Sequence, residues 1–221
     1  YCINGDGNWL NLSAGSSTTA VNTGQTISFR ANISPTSNTG VGTFTLGKKC
    51  KVQGTVMALL FGDAGKDNLS LSGKTYAFHR LFYNATNLIE VSSKFLPATT
   101  LNTYCYNYMF YGCTSLTTAP ELPATTLDYS CYGYMFYGCT NLRRVRIEGT
   151  EFTNTSSAFY GVNELELTLN IHGTGTSRYY LITDKYGNTS KFDSHGRLIK
   201  QELNQAINRD DNENNNFNIT I

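Results

Sequence analysis

The sequence predicts a mainly β fold in which short units stack into a solenoid, and three observations carry that expectation. First, the chain copies itself: CYNYMFYGCTSLTTAPELPATTL at 105–127 is followed by CYGYMFYGCTNL at 131–142, each matched residue recurring at an offset of 26. Second, weaker copies lie on both sides. LFYNATNLIEV at 81–91 matches MFYGCTSLTTA at 109–119, LPATTL at 96–101 recurs at 122–127, and AFYGVNEL at 158–165 matches MFYGCTNL at 135–142. Third, the flanking segments alternate apolar and polar residues, as at Leu165, Leu167, Leu169 and Ile171, which is the period of a half-buried strand. A fixed period of this size marks a unit that cannot bury its own apolar face and must stack on a neighbour. Drift at the ends is expected where terminal units adapt as caps.

Residues 1–55 lie outside the repeat and predict a small β-domain or a cap on the array. Ile27, Phe29, Ala31 and Ile33 alternate as a strand, Cys50, Val52 and Val56 suggest another, and Gly- and Ser-rich turns lie between them. Trp9, Leu10 and Leu12 are expected to supply the large apolar filling of this unit. The array itself spans 56–172 and opens on the apolar run VMALLFGD. The Asp63–Asn68 run that follows reads as a plain turn, since it lacks the ligand spacing of a calcium loop and carries Lys66.

Within each copy, Met109 and Phe110, like Met135 and Phe136, predict one helical or 3₁₀ turn broken by Gly112 or Gly138. Leu116 and Leu142 begin an extended segment, which Pro120 and Pro123 interrupt, and Leu127 returns to the core. After Leu142, Val145 and Ile147 alternate with Arg144 and Arg146 in a further strand. Residues 173–208 predict a C-terminal β cap, with short strands in YYLIT, SKF and RLI and one or two helical turns in QELNQAI. Residues 209–221 form a polar tail, frayed except for its last apolar residues.

Composition narrows the function classes. Hydrophobic residues make up 40% of the 221 and charged ones only 15%, so Ser, Thr, Asn and Tyr must carry much of the surface. A formal net charge of +1 supplies no general attraction to nucleic acid or anionic membrane. No apolar run approaches the ~18 residues that cross a bilayer. The chain begins at Tyr1 rather than Met and shows no signal segment, and removal of the natural N-terminus is expected.

Of the six cysteines, Cys2 and Cys50 could tie the first strand of the N-terminal unit to its last. Cys105 stands over Cys131 and Cys113 over Cys139; coils spaced by ~4.8 Å would permit a disulfide at either pair. A buried ladder of free thiols acting as small apolar groups is the preferred reading.

No chemical constellation emerges. His79, His172 and His195 lack nearby partners at metal-ligand spacing, and there is no phosphate loop, HExxH motif or nucleophile elbow. No cofactor, metal site or catalytic residue is expected, and Asn-X-Ser/Thr triplets at Asn11, Asn32, Asn68, Asn84, Asn154, Asn188 and Asn218 fit the composition. The tyrosines stand out instead. Tyr104 and Tyr129 add to a dense set in which Tyr106 pairs with Tyr132, Tyr108 with Tyr134 and Tyr111 with Tyr137 across the repeat. Those six are the candidate ligand-binding residues, a rigid apolar face with hydroxyls suited to a glycan or protein. The alternative is that the same row only shields the flank by ring packing.

The units MFYGCTSLTTAPELPATTL and MFYGCTNL, with LFYNATNL and AFYGVNEL, resemble the BspA-like surface leucine-rich repeat proteins of gut-dwelling anaerobic bacteria. The similarity covers residues 1–165 or so and centres on Phe110, Cys113 and Leu116, then Phe136, Cys139 and Leu142. Ala85 and Val162 replace the cysteine in the outer copies. The resemblance implies a leucine-rich repeat solenoid with a small N-terminal β-domain and a short C-terminal β cap. It further implies an exported protein, extracellular or held at the cell surface with or without a lipid anchor, that binds host matrix, other bacteria or glycans and has no enzymatic activity. It supplies no site residues, and the segment after Arg178 departs from its pattern. A structural spacer and a phage host-attachment accessory protein are the rival expectations.

Overall fold

The computed structural model describes residues 1–148 apart from Asp6, Ala14 and 36–39, then 158–159, 161–162 and the backbone of five later strands. The strands are β1 (Cys2–Ile3), β2 (Thr26–Ser28), β3 (Cys50–Val52), β4 (Leu88–Val91), β5 (Arg144–Glu148), β6 (Glu166–Asn170), β7 (Tyr179–Thr183), β8 (Thr189–Asp193), β9 (Leu198–Lys200) and β10 (Ile219–Thr220). One helix, α1 (Ala58–Phe61), runs into a 3₁₀ segment over Gly62–Asp67, and a second 3₁₀ turn spans Ser93–Phe95.

The repeated segment folds into consecutive β-turns. In 102–113 the amides of Cys105, Asn107, Met109, Tyr111 and Cys113 each donate to the carbonyl three residues back. The intervening amides of Tyr104, Tyr106, Tyr108, Phe110 and Gly112 donate sideways to Tyr129, Cys131, Gly133, Met135 and Tyr137 in the next copy. Residues 74–85 repeat the scheme onto 103–111, and Phe136 continues it onto Ala158. Thus in 74–85 and 102–113 alternate backbone donors are satisfied within the copy and between copies, and neither set is left orphaned.

Every fourth residue is left-handed: Tyr76, Arg80 and Asn84, then Tyr104, Tyr108 and Gly112, then Ser130, Tyr134 and Gly138, all with φ between 51° and 73°. That conformation resets the chain direction after each turn, so the single helical turn expected before Gly112 and Gly138 is replaced by a series of turns. Glycine meets the requirement without steric cost at Gly112 and Gly138, whereas a non-glycine residue there costs about 1–3 kcal/mol.

The other sides of each copy are extended. β3 pairs in parallel with β4, with Lys51 opposite Glu90 and their side chains ion-paired at 2.6 Å. A parallel bridge carries this edge on from Glu90 to Thr118, and the amide of Arg143 donates to Thr117. On the return side Ser70, Thr100 and Thr126 form successive parallel bridges, the two threonines being the last residues of the LPATT segments. β5 pairs in parallel with β6.

Between these sides runs one apolar core. Phe78, Tyr106 and Tyr132 stack in one row, and Phe44, Phe82, Phe110, Phe136 and Phe159 in another with centroids 5.5–5.8 Å apart. Leu88, Leu116 and Leu142, and Leu81, Met109 and Met135, fill equivalent buried positions.

The N-terminal segment joins this core without a break. Amides of Val41, Phe44 and Cys50 donate to Ala77, Leu81 and Asn87, so residues 40–52 lie on the first repeated copy as one more layer. Ala31 and Ile33 donate to Ala58 and Leu59 of the helical segment. Trp9, Leu10 and Leu12, expected as core, are instead exposed at 37–44%. The strands here span two or three residues and offer no second layer for an indole; Trp9 lies under the Arg30 guanidinium, 3.9 Å away, which is itself paired with Asp63. The core on this side comes from Cys2, Val21 and Ile27, with Phe29 and Phe44 in edge-to-face contact.

β7, β8 and β9 form an antiparallel meander where the sequence predicts short strands. At the end of the polar tail, Ile219 and Thr220 are inserted between β2 and β3, giving a five-stranded order β1-β2-β10-β3-β4. The helical turns expected in 201–207 lie outside the described residues. Among the described residues no helix is long and apolar enough to cross a membrane.

Candidate functional site

The turn sequence decides which tyrosines reach the surface. Positions between left-handed residues point inward, so Tyr106 and Tyr132 are buried at 1% and 2% exposure. Neither belongs to a binding face, which corrects the expectation that grouped them with the others. Their hydroxyls find no hydrogen-bond partner, and burial pushes both phenols well above the usual range. Phe78 occupies the same position one copy upstream, and that apolar equivalent is the sequence signal that these two sites are interior.

Tyr108, Tyr111, Tyr134 and Tyr137 are half-buried and form two adjacent columns. Tyr83, Tyr111 and Tyr137 stack at 4.9 and 4.8 Å, with planes within 12°. Tyr108 and Tyr134 stack at 4.7 Å and 7°. The columns are inclined to each other by 41° at Tyr108–Tyr111 and 43° at Tyr134–Tyr137. A third pair, Tyr76 and Tyr104, stacks at 4.7 Å, and exposed Tyr129 meets Tyr104 edge-on. Burial and neighbouring phenols raise the Tyr108 pKa, so its hydroxyl remains a donor at neutral pH.

Arg80 stands in the row of Tyr108 and Tyr134, one copy upstream, and closes that column. Its guanidinium lies 5.4 Å from the Tyr108 ring centre and 5.2 Å from that of Tyr83. Tyr76, Tyr83 and Arg80 were not among the residues expected at the site. Extending the match of LFYN to MFYG back to YAFHRLFYN, offset by 28 from YCYNYMFYG, aligns all three with the tyrosine rows.

Behind the columns lies a polar row, His79, Asn107 and Gly133. Asn107 is buried and its Nδ2 donates to the carbonyl of Gly133 at 3.1 Å and to Ser130 Oγ at 3.3 Å. Its side chain thus fills the space that a side chain at Gly133 would need. The His79 ring is buried with Nδ1 unpartnered, and burial, together with the Arg80 charge, lowers its pKa to about 4, leaving a neutral imidazole.

All six cysteines are free and buried, so no bridge joins Cys2 to Cys50 or one copy to the next. The thiols do more than fill space: Cys113 Sγ donates to the Phe82 carbonyl at 3.1 Å and Cys139 Sγ to the Phe110 carbonyl at 3.0 Å, each one copy upstream. Burial pushes Cys113 up to about 12 and Cys131 up to about 11, which removes thiolate reactivity at neutral pH. Among the described residues no group of three or more His, Cys, Asp or Glu side chains converges as a metal site. His172 and His195 lie outside the described residues. The arrangement presents tyrosine rings at the surface; the groups that would be needed for a nucleophile and base are not brought together among the described residues. Comparisons with protein families, with curated proteins and with solved structures found no match.

Proposed function

We infer that the protein is a non-catalytic binding protein of a bacterial surface, a leucine-rich repeat solenoid of the BspA-like kind that recognises host matrix, a glycan or a partner protein through its tyrosine face. The observation that carries this reading is the half-exposed double column of Tyr83, Tyr111 and Tyr137 beside Tyr108 and Tyr134. Rings fixed by stacking offer contact area at little cost in side-chain entropy, and their hydroxyls add directional bonds. The segments 76–84, 104–112 and 130–138 contain no Asp or Glu, so no carboxylate of their own repels or competes with a ligand.

The test is binding of the whole chain to mucin, matrix proteins and a broad glycan array, with Tyr111→Ala/Tyr134→Ala as the altered face. A ligand that binds the parent and is lost in the variant supports the reading. Absence of any ligand, or a ligand indifferent to both substitutions, overturns it. A second reading, a structural spacer, draws on the same stacks, because most ring faces are occupied by other rings. It expects no ligand at all, and the same measurements separate the two.

A further inference from the structure

We propose that the tyrosine face takes a linear acidic polysaccharide, lying along the stack with its acid groups directed toward Arg80. This rests on the binding role inferred above and narrows it to a ligand class.

At the inner rings the geometry first excludes the commonest way in which tyrosine holds a sugar. Stacking a pyranose on a ring needs an open aromatic face. Tyr111 is covered on both sides by Tyr83 and Tyr137 at 4.9 and 4.8 Å, and Tyr108 has Tyr134 on one side and the Arg80 guanidinium near it. What these two inner rings present to solvent is edges and hydroxyls. The hydroxyls of Tyr83, Tyr108, Tyr111 and Tyr134 have no partner among the described residues and are not buried. Aromatic edges carry the positive part of the ring quadrupole, so edges and phenolic O–H groups together favour oxygen acceptors.

Charge then selects among acceptors. Arg80 is exposed and pairs with no carboxylate among the described residues, unlike Arg30 with Asp63 and Lys51 with Glu90. The nearest acidic residue in the sequence of the face, Asp128, sits at the far copy, beside Tyr129, whose amide donates to its Oδ1 at 2.6 Å. A face of donors with one uncompensated guanidinium at its end suits carboxylate or sulfate.

Spacing argues against an extended peptide. The rungs recur every 4.7–4.9 Å. An extended peptide places same-side groups about 6.6 Å apart and falls out of step within two rungs. A linear acidic polysaccharide offers oxygen acceptors on every ring along its length, which suits a row of phenolic donors that ends in a guanidinium.

The experiment measures binding of the whole chain to polygalacturonate, dextran sulfate, neutral dextran and polyglutamate, for the parent, Arg80→Gln and Tyr108→Phe/Tyr111→Phe. The phenylalanine pair keeps the stacks and removes only hydroxyls. Polygalacturonate or dextran sulfate should bind, more weakly as salt rises, and which of them binds separates carboxylate from sulfate. Each variant should weaken binding by about tenfold with its thermal unfolding unchanged. Equal binding of neutral dextran, undiminished binding by the phenylalanine pair, or tighter binding of polyglutamate overturns the proposal. Failure of all four polymers also overturns it, while the mucin and matrix measurements above decide the wider binding role separately.

Discussion

Phe110 and Phe136 lie face to face inside the protein, centroids 5.5 Å apart and planes within 4°, although 26 residues separate them in the chain. Both are fully buried. The sequence offset is therefore a spatial offset of one ring, and the same holds outward to Tyr111–Tyr137 and inward to Tyr106–Tyr132. Each row has a Phe or Tyr wherever its copy is intact, so the energetic contribution of a ring depends on its row.

Phe110→Ala should be the more damaging of two substitutions in one turn. Emptying the middle of the phenylalanine row leaves a cavity between Phe82 and Phe136 and is expected to cost about 3–5 kcal/mol. Tyr111→Ala, at the half-exposed neighbour, loses stacking of about 0.5–1.5 kcal/mol per pair and leaves no cavity. Urea unfolding of the two variants checks this, and equal losses would place Phe110 outside a shared interior.

Tyr106→Phe and Tyr132→Phe should raise stability. Each parent hydroxyl is buried without a partner, and leaving such a group unsatisfied costs roughly 1–3 kcal/mol. Phe78 already fills this position upstream and stacks on Tyr106 at 5.8 Å. A rise in Tm for both variants is the expected result; a fall would reveal an ordered water holding the two hydroxyls.

The periodic rows were legible in the sequence because apolar identity repeats with the offset: Phe110 with Phe136, Cys113 with Cys139, Leu116 with Leu142. The direction of each side chain was not. Tyrosine has one letter whether its turn position faces in, as at Tyr106, or out, as at Tyr108, and the difference rests on left-handed backbone at Tyr104, Tyr108 and Tyr134. Such conformations are rare for bulky residues, so no propensity signals them. Hydrophobicity misled similarly at Trp9, where a cation over the ring replaces burial. Pairing of β10 between β2 and β3 joins residues far apart in the chain, and no local pattern encodes it.

Gly133→Ala should destabilise although its backbone is not left-handed. A β-carbon at this site would come 2.5 Å from Asn107 Nδ2 and closer still to Ser130 Oγ. Relieving the overlap breaks the bond from Asn107 to the Gly133 carbonyl and leaves a buried amide short of an acceptor, a loss of about 1–3 kcal/mol. Pairing it with Asn107→Ala, which vacates the space, should recover part of the loss. A double-mutant cycle measures the coupling, and strict additivity would show that the two residues do not share that space.

His79 should make the fold sensitive to mild acid. Its folded pKa of about 4 lies below the ordinary 6.5, because burial and the Arg80 charge disfavour the imidazolium. The unfolded chain therefore binds the extra proton more readily, and the stability that the neutral ring allows is complete above pH 6.5, falls as the pH drops from there to about 4, and does not fall further on this account below it. The loss is about 1–2 kcal/mol once the ring's closeness to solvent is allowed for. Carboxylates titrate in part of the same window, so the comparison is with His79→Asn, which places in the first copy the residue that Asn107 provides in the second. The drop in Tm between pH 7 and pH 4.5 should be smaller in the variant than in the parent. Parallel Tm curves for the two proteins would mean that His79 is protonated without cost and that its ring is not buried beside the Arg80 charge.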